Sequence, residues 1–380
     1  MSNQELELNL IQRVGIDKIQ LSNFLIDDID ISKLISISNT NNVEIYHTAT
    51  KVSNYIRFMP NTFEGITKIF IKDNNVFSDL IIGCAIDSHE KPIEYVYLTI
   101  TVTNAKGHNL LNMSYNEYNI YISSVIDYIK STYGITLLAD FIKVNYIEIN
   151  TNILLENAFS EYNRTFRLLM SLFSGHMGKL STYDKITNNK KIKEESFKRG
   201  NKSIEVIFYD KVKELKDMKI PIDDELSICR IEIRLKTKDK IKSVFGSNIW
   251  KEVNDEKITE YFRVQIYDYL SEKFEKWKLT REKELKKLIL SCRKKSSKVW
   301  HHLLMQEIRN KSELQMIPYI LDIEQIYSAF RTLPDPNRNA SRAIKSIEKI
   351  SVENDIYKNN DIAKIYELLN SVKNSSNTAL

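Results

Sequence analysis

The sequence predicts an α+β protein: a mostly antiparallel sheet with flanking helices, followed by an all-helical C-terminal region. Three observations carry this. Glu94 to Asn104 alternates strictly, with Val96, Leu98, Ile100 and Val102 set against Tyr97, Thr99, Thr101 and Thr103, as in a strand with two unlike faces. Tyr115 to Thr132 places apolar residues at 118, 121, 122, 125, 126 and 129, the spacing of one helix face. Beyond Lys236 the composition changes, and charged helices with a single apolar stripe take over. Helices set between and after mostly antiparallel strands are an α+β pattern.

Taken in order, residues 1–14 read as a lead-in, Gly15 to Phe24 as a first strand and Asp27 to Ser38 as a short acidic helix or turn. Strands follow at Asn54 to Phe58, Gly65 to Lys72, Ser78 to Ile86 and Glu94 to Asn104. The last runs into AKGHNLL, Ala105 to Leu111, which puts His108 behind Gly107 at a strand-to-helix turn. Ile142 to Asn150 is a strand with Tyr146 and Glu148 on one face. Asn157 to Phe173 is helix, and Ser174 to Asn201 is a basic, glycine-bounded connection. Lys238 to Val244, Lys257 to Leu270 and Glu272 to Leu304 read as helices, the last with Leu285, Leu288, Ile289, Cys292, Val299 and Leu303 as its buried stripe. Thr332 to Asn339 is a turn-rich break before helices at Ala340 to Val352 and Asp361 to Val372. The division falls between a mixed domain, 1–250, and a helical one, 251–380.

At 380 residues and 42% hydrophobic content, the chain can bury one large core or two ordinary ones. No apolar run approaches the roughly 20 residues of a membrane span. The N-terminal stretch, with Glu5 and Glu7, lacks the basic-then-apolar order of a signal peptide. Cys84, Cys229 and Cys292 are odd in number and far apart, so reduced thiols and a cytoplasmic location are expected. His47, His89, His108, His176 and the pair His301–His302 form neither His-x-His nor HExxH, which leaves a zinc site unsupported. Without GxxxxGKS or GxGxxG, a P-loop ATPase or a dinucleotide enzyme is not indicated, and nothing marks a nucleophile elbow. The net charge of +5 is uneven. Lys278 to His302 holds nine Lys or Arg against two Glu, and Lys185 to Lys202 seven against two. Such patches suit a polyanion, or are solvated surfaces.

The chemistry concentrates between Ser203 and Lys236. Ser203 to Tyr209 reads as a strand with Glu205, Ile207 and Tyr209 on one face; Val212 to Met218 reads as helix; Pro221 and the acids after it make a turn. Leu226 to Lys236 then alternates, with Arg230, Glu232 and Arg234 on one face. Three charged groups in a row on one strand face are costly to bury unpaired, and they suit a metal or phosphate site. Tyr209 ends its strand with Lys211 two residues on and Lys213 four residues on. A tyrosine near an ammonium and a metal-binding carboxylate is what nucleophilic attack on a phosphodiester needs. The same residues also read as a half-buried tyrosine beside solvated lysines. A second YDK, Tyr183 to Lys185, runs into the polar stretch ITNNKK and is less well fixed.

The order GHN, then YIEIN, then a basic linker, then YDKVKELK, then RIEIRLK resembles rolling-circle replication initiators. It is most similar to phage and plasmid replication proteins of the filamentous-phage gene-II/X type and, more loosely, to trans-acting initiators of small Gram-positive plasmids. The resemblance covers about residues 95–245. It implies a relaxase-like fold, a cytoplasmic nicking and joining endonuclease, and a tyrosine that stays bound to the 5′-phosphate. By position it implies Tyr209 as nucleophile with Lys213 completing Tyr-x-x-x-Lys and Lys211 beside it. It further implies Glu232, with Glu148 and His108, as holders of Mg2+ or Mn2+. Glu148 stands where the family has Asp after an arginine, and that arginine is absent here. Arg230 and Arg234 would neutralise phosphate charge. Lys283, Lys286, Lys287, Lys294 and Lys298, off the apolar stripe, would grip origin DNA, single-stranded or as supercoiled duplex. Host helicase and polymerase would then act on the product. Two further readings stay open: a non-catalytic, sequence-specific DNA-binding replication or regulatory protein, and a metal nuclease that activates water.

Overall fold

The computed structural model describes residues 12–30, 33, 36–37, 43–47, 66–73, 77–86, 92–103, 110–139, 142–186, 192–223, 225–315, 345, 349 and 361–377. Ten strands pair into one sheet, each pair antiparallel: β1 Gly15–Ser22, β3 Val43–His47, β4 Ile66–Asp73, β5 Phe77–Ile86, β6 Pro92–Thr103, β8 Lys143–Leu154, β9 Ser181–Ile186, β10 Ile192–Gly200, β11 Ile204–Asp210 and β12 Ile228–Leu235. Their spatial order is β3-β4-β5-β6-β1-β8-β12-β11-β10-β9. A separate two-stranded sheet joins β2 Leu25–Ile29 to β7 Ile135–Leu138. The antiparallel α+β expectation therefore holds. It holds because strands such as β12 bury Ile231, Ile233 and Leu235 on one face and carry charge on the other.

Helices cover the apolar face. The first, α1 Tyr115–Tyr133, opens with a Ser114–Glu117 capping box and closes at Gly134, whose φ of 71° suits glycine. Helix α2, Asn163–Leu172, sets Phe166 against Phe197 of β10 and Phe208 of β11. Next come α3 Lys211–Asp217, α4 Lys238–Phe245, α5 Asp255–Arg263, and α6 Tyr269–Lys295, reached through a π-helical turn at Val264–Asp268. Helix α7 spans Trp300–Gln315, and α8 Asp361–Asn377. Helix α8 buries Ile362, Ile365, Leu368, Leu369 and Val372 in the same core cluster as Ile147 of β8 and Phe166 of α2. Arg164 pairs with Asp361 at 3.4 Å and Tyr162 donates to Glu367 at 2.9 Å, pinning the start and middle of α8. Among the described residues no helix is long and apolar enough to cross a membrane.

Three expectations change. Asp27 to Ser38 begins inside strand β2, whose partner β7 lies over a hundred residues on, so local pattern could not reveal it; Lys33, Ser36 and Ile37 beyond it are helical. The basic connection Ser174 to Asn201 contains the pair β9 and β10, and Tyr183 lies on β9. The long helix Glu272 to Leu304 breaks at Ser296, which is extended and whose hydroxyl accepts from the Val299 N–H, a side-chain bond that competes with helix. Val299 is therefore exposed, and Leu304 and Met305 take the buried places in α7. Asn54 to Phe58, and most of Ala340 to Val352, lie outside the described residues.

Helix α3 ends in a reversal built on a non-glycine residue. Lys219 takes φ 61°, while the Ile220 N–H reaches Leu215 O and the Lys219 N–H reaches Lys216 O, both at 3.0 Å. A left-handed lysine is strained by roughly 1 kcal/mol relative to glycine. Lys219→Gly should therefore raise unfolding free energy by about 0.5 kcal/mol once glycine's extra chain entropy is subtracted. Lys219→Val should lower it by more than 1 kcal/mol, roughly, since a β-branched residue tolerates this φ worst. Urea titrations of the three proteins decide it.

Candidate active site

The polar face of the central strands is aligned row by row. On β12, Arg230, Glu232 and Arg234 stand opposite Asn152, Asn150 and Glu148 of β8 on one side. On the other side they stand opposite Tyr209, Ile207 and Glu205 of β11. Because directly opposed side chains share a face, one surface gathers Tyr209, Arg230, Glu232, Arg234 and Glu148.

Asp17 joins them through an irregularity. Ile16 pairs with Ile149 and Lys18 with Glu148, so β1 has an extra residue there, and Asp17 is the bulge. Ile16 and Ile19, three apart, are both fully buried, whereas simple alternation would put them on opposite faces. The bulge turns the Asp17 carboxylate toward the polar face. One carboxylate oxygen from each of Asp17, Glu148 and Glu232 lies within 4.8 Å of the others, and all three residues are buried.

Arginines hold this cluster together. Arg234 meets Glu232 through Nε, reaches Glu148 Oε1 at 3.2 Å and Glu205 Oε2 at 3.3 Å. Arg230 is fully buried; its Nε donates to Asn152 Oδ1 at 2.8 Å and its Nη1 lies 3.5 Å from Asp17 Oδ2. Burial first, and then Glu148, pushes the Glu232 carboxyl up; burial also raises Glu148, which Tyr146 supports by donating its hydroxyl. The three carboxylates form an all-oxygen donor set of the kind hard divalent cations take. Asn150 is fully buried, and neither polar atom of its amide has a partner among the described residues. These residues fit Mg2+ or Mn2+.

Tyr209 sits beside the cluster, with its hydroxyl donating to Glu232 Oε2 at 3.5 Å. Burial raises its phenol well above the ordinary value, and Arg230 is the cation that opposes this. Tyr209, Lys213 and Arg234 line an open groove of about 520 Å³ with Ser196, Ile207 and Met218. Lys213 shares that groove but pairs with Asp217 at 2.5 Å, and its N–H is capped by Asp210 at 2.9 Å. Lys211 is fully buried against Glu214 at 2.6 Å; burial, and then Arg230, lowers its pKa. His108 lies outside the described residues. Lys283, Lys287, Lys294 and Lys298 are exposed and Lys286 half-buried. Their helix α6 meets the end of α2 through its first residue, Tyr269, which packs on Phe173 and donates to Leu172 O.

Sequence reasoning missed Asp17 and Asn150. The break in alternation at GIDKI was the available signal for Asp17. For Asn150 the signal was the run of adjacent polar residues Asn150, Thr151 and Asn152, where the strand pattern up to Ile149 alternates.

No family model and no curated protein matches the chain. A solved rolling circle replication initiator protein from Geobacillus stearothermophilus is similar at 13% identity and a TM-score of 0.31, over 61% of this chain and 77% of that one.

A folded pKa raised above the unfolded one means that the native state keeps a proton the unfolded chain releases. For Glu232 the unfolded carboxyl titrates near about 4.3. Stability of cation-free protein should therefore fall as pH rises from about 4.5 through neutrality. Glu232→Gln should flatten this decline, and Mn2+ should raise Tm of the native chain at pH 8 but not of Glu232→Gln. Thermal melts in EDTA and in millimolar Mn2+ across pH 5–8.5 measure it. A native chain with flat stability and no Mn2+ response would make the cluster an ion-pair network alone.

Proposed function

We infer that the chain is an initiator of rolling-circle replication, a nuclease that binds an origin and nicks one DNA strand through a 5′-phosphotyrosine. The observation that carries this is the Tyr209 hydroxyl set 3.5 Å from one of three clustered, buried carboxylates. The motif order GHN, YIEIN, YDKVKELK, RIEIRLK supports it independently. On this reading residues 1–250 nick and residues 251–380 hold DNA.

Asp17, Glu148 and Glu232 would hold Mg2+ or Mn2+, which when bound supplies Lewis-acid polarisation of the scissile phosphate. The phenol is protonated at neutral pH, its ordinary pKa being about 10, and its burial holds it higher. It loses its proton to solvent as it attacks, and Arg230, the cation acting on it, stabilises the phenolate. The phenolate oxygen forms the new bond to phosphorus. The bond from phosphorus to the 3′ oxygen breaks, and that oxygen leaves with the electron pair and takes a proton. Arg234, with 30% of its side chain exposed at the groove, is placed to meet phosphate charge. The product carries a 5′-phosphotyrosine and a 3′-OH that a host polymerase can extend. Host helicase would open the duplex ahead of it.

One observation favours the non-catalytic reading. Arg234 already bridges Glu232, Glu148 and Glu205, as a structural network would. In that case the chain binds DNA without cutting it.

Tyr209→Phe should lower nicking by roughly a thousandfold or more and abolish the covalent adduct, while origin binding stays within about twofold. The measurement is incubation with single-stranded origin DNA and Mn2+, then a denaturing gel. An adduct that persists in Tyr209→Phe and vanishes in Tyr183→Phe would move the nucleophile to β9. Absence of any adduct from the native chain would favour the non-catalytic or the water-activating reading.

The exposed lysines of α6 should supply affinity rather than sequence choice, because an ammonium meets phosphate as a point charge. Replacing Lys287, Lys294 and Lys298 together with Gln should weaken origin and random DNA by similar factors. The slope of log K on log salt should flatten by up to about 3 units on duplex. Titrations at several salt concentrations measure both. An unchanged slope would leave this face solvated or facing a protein.

A further inference from the structure

We propose that the Asn150 carboxamide is a fourth protein ligand of the cation site, its Oδ1 completing an all-oxygen set with Asp17, Glu148 and Glu232. The inference rests on the metal reading above and adds a residue that neither the motifs nor the resemblance assigns.

Asn150 stands opposite Glu232 on β12 and opposite Gly15 on β1, two residues from Glu148 along its own strand. All three relations put its side chain on the carboxylate face. It is fully buried, yet neither Oδ1 nor Nδ2 has a hydrogen-bond partner among the described residues. Buried amides are normally satisfied, so an orphan of this kind calls for a missing partner.

Its neighbours supply the contrast. Asn152, two residues on and equally buried, is satisfied at both ends: Oδ1 accepts from Arg230 Nε and Nδ2 donates to Leu110 O, each at 2.8 Å. The fold can therefore satisfy an asparagine on this strand face. Asn150 receives no hydrogen bond from the segment that lies over it. A side chain at Gly15 would meet Met113 O at 2.7 Å and Asn112 Cβ at 2.9 Å, so the stretch around Asn112 and Met113 roofs this place. Met113 O accepts from the Ile16 N–H at 2.8 Å, and Asn112 O from Arg13 Nε at 2.8 Å.

A cation among the carboxylates would give Oδ1 a partner, and Nδ2 could then donate to a neighbouring carboxylate oxygen. The neutrality of the amide also matters. Three carboxylates already crowd the site, and an aspartate there would add a fourth negative charge to be buried. An amide adds a hard oxygen donor without that charge.

The experiment is Mn2+ binding to the full chain, read by electron paramagnetic resonance of free Mn2+, with a melt in EDTA alongside. Asn150→Leu is nearly isosteric and removes both orphan atoms. It should melt in EDTA no lower than the native chain, because no native hydrogen bond is lost. It should weaken Mn2+ binding about tenfold or more. Asn150→Asp should tighten Mn2+ binding and lower the EDTA melting temperature. If Asn150→Leu is unfolded, Asn150→Asp still decides. A charged oxygen at a true ligand position must change Mn2+ affinity, and an unchanged value overturns the proposal. A native chain that binds Mn2+ while Asn150→Leu binds it equally well also overturns the proposal and leaves the metal reading standing. A native chain that does not bind millimolar Mn2+ overturns both.

Discussion

Mutual repulsion among the carboxylates of Asp17, Glu148 and Glu232 is the constraint around which the polar face of the sheet is built. At an effective dielectric near 20, two unit charges 4.8 Å apart repel by about 3 kcal/mol. Burial adds a desolvation cost to each. The protein answers in two ways. Protons are held more tightly, as the raised Glu232 and Glu148 carboxyls record. Guanidinium groups are also set between the acids: Arg234 against Glu232 and Glu148, Arg230 against Asp17. Removing either arginine would strand a buried charge, at roughly 3–5 kcal/mol.

A sheet suits this task better than loops would. Hydrogen-bonded registers fix which side chains share a row, and a slip of one residue would send the whole charged set into the apolar core. The core guards the register in turn, since Ile147, Ile149, Ile231 and Ile233 on the other face are all buried beneath helices. The Asp17 bulge is the one departure from regular pairing within the site, and it delivers the third carboxylate. Glu205, at the margin, is treated differently. Burial opposes its charge, but Lys198 at 2.9 Å and Lys236 at 3.3 Å hold it below the usual carboxylate range. It is neutralised where it stands, unlike the three acids at the centre.

Much of this was legible in the sequence. Strict alternation marked β12 and β11, and put Arg230, Glu232 and Arg234 on one face with Tyr209 at a strand end, as the register confirms. Glu148 was assigned to a strand that lies beside β12. What could not be read was whatever depends on partners distant in the chain. Strand β2 is short and pairs with β7 across a helix. Asp17 reaches the site only because β1 bulges against β8, and Asn150 is unusual in lying beneath a segment that gives its amide no hydrogen bond. Lys211 and Lys213 were placed alike by spacing, two and four residues from Tyr209. The start of α3 separates them, sealing the first against Glu214 and leaving the second at the groove.

Charge balance ties these observations to the proposed chemistry. Lys198 and Lys236 offset Glu205, and Lys211 offsets Glu214. The centre is then three carboxylates against two guanidinium groups, with the Lys18 ammonium, opposite Glu148, acting on them as well. A phosphodiester brought to Tyr209 adds a negative charge, and the phenolate needed for attack a second. Two arginines that are already engaged with the acids cannot meet that demand, and burial makes every unbalanced charge more costly. Left to its own residues, the site keeps the acids partly protonated and the phenol neutral. One divalent cation would offset the charges of the phosphate and the phenolate together, with Arg230 also acting on the phenolate. On the proposed chemistry the acids and the tyrosine would work as a unit with a bound divalent ion.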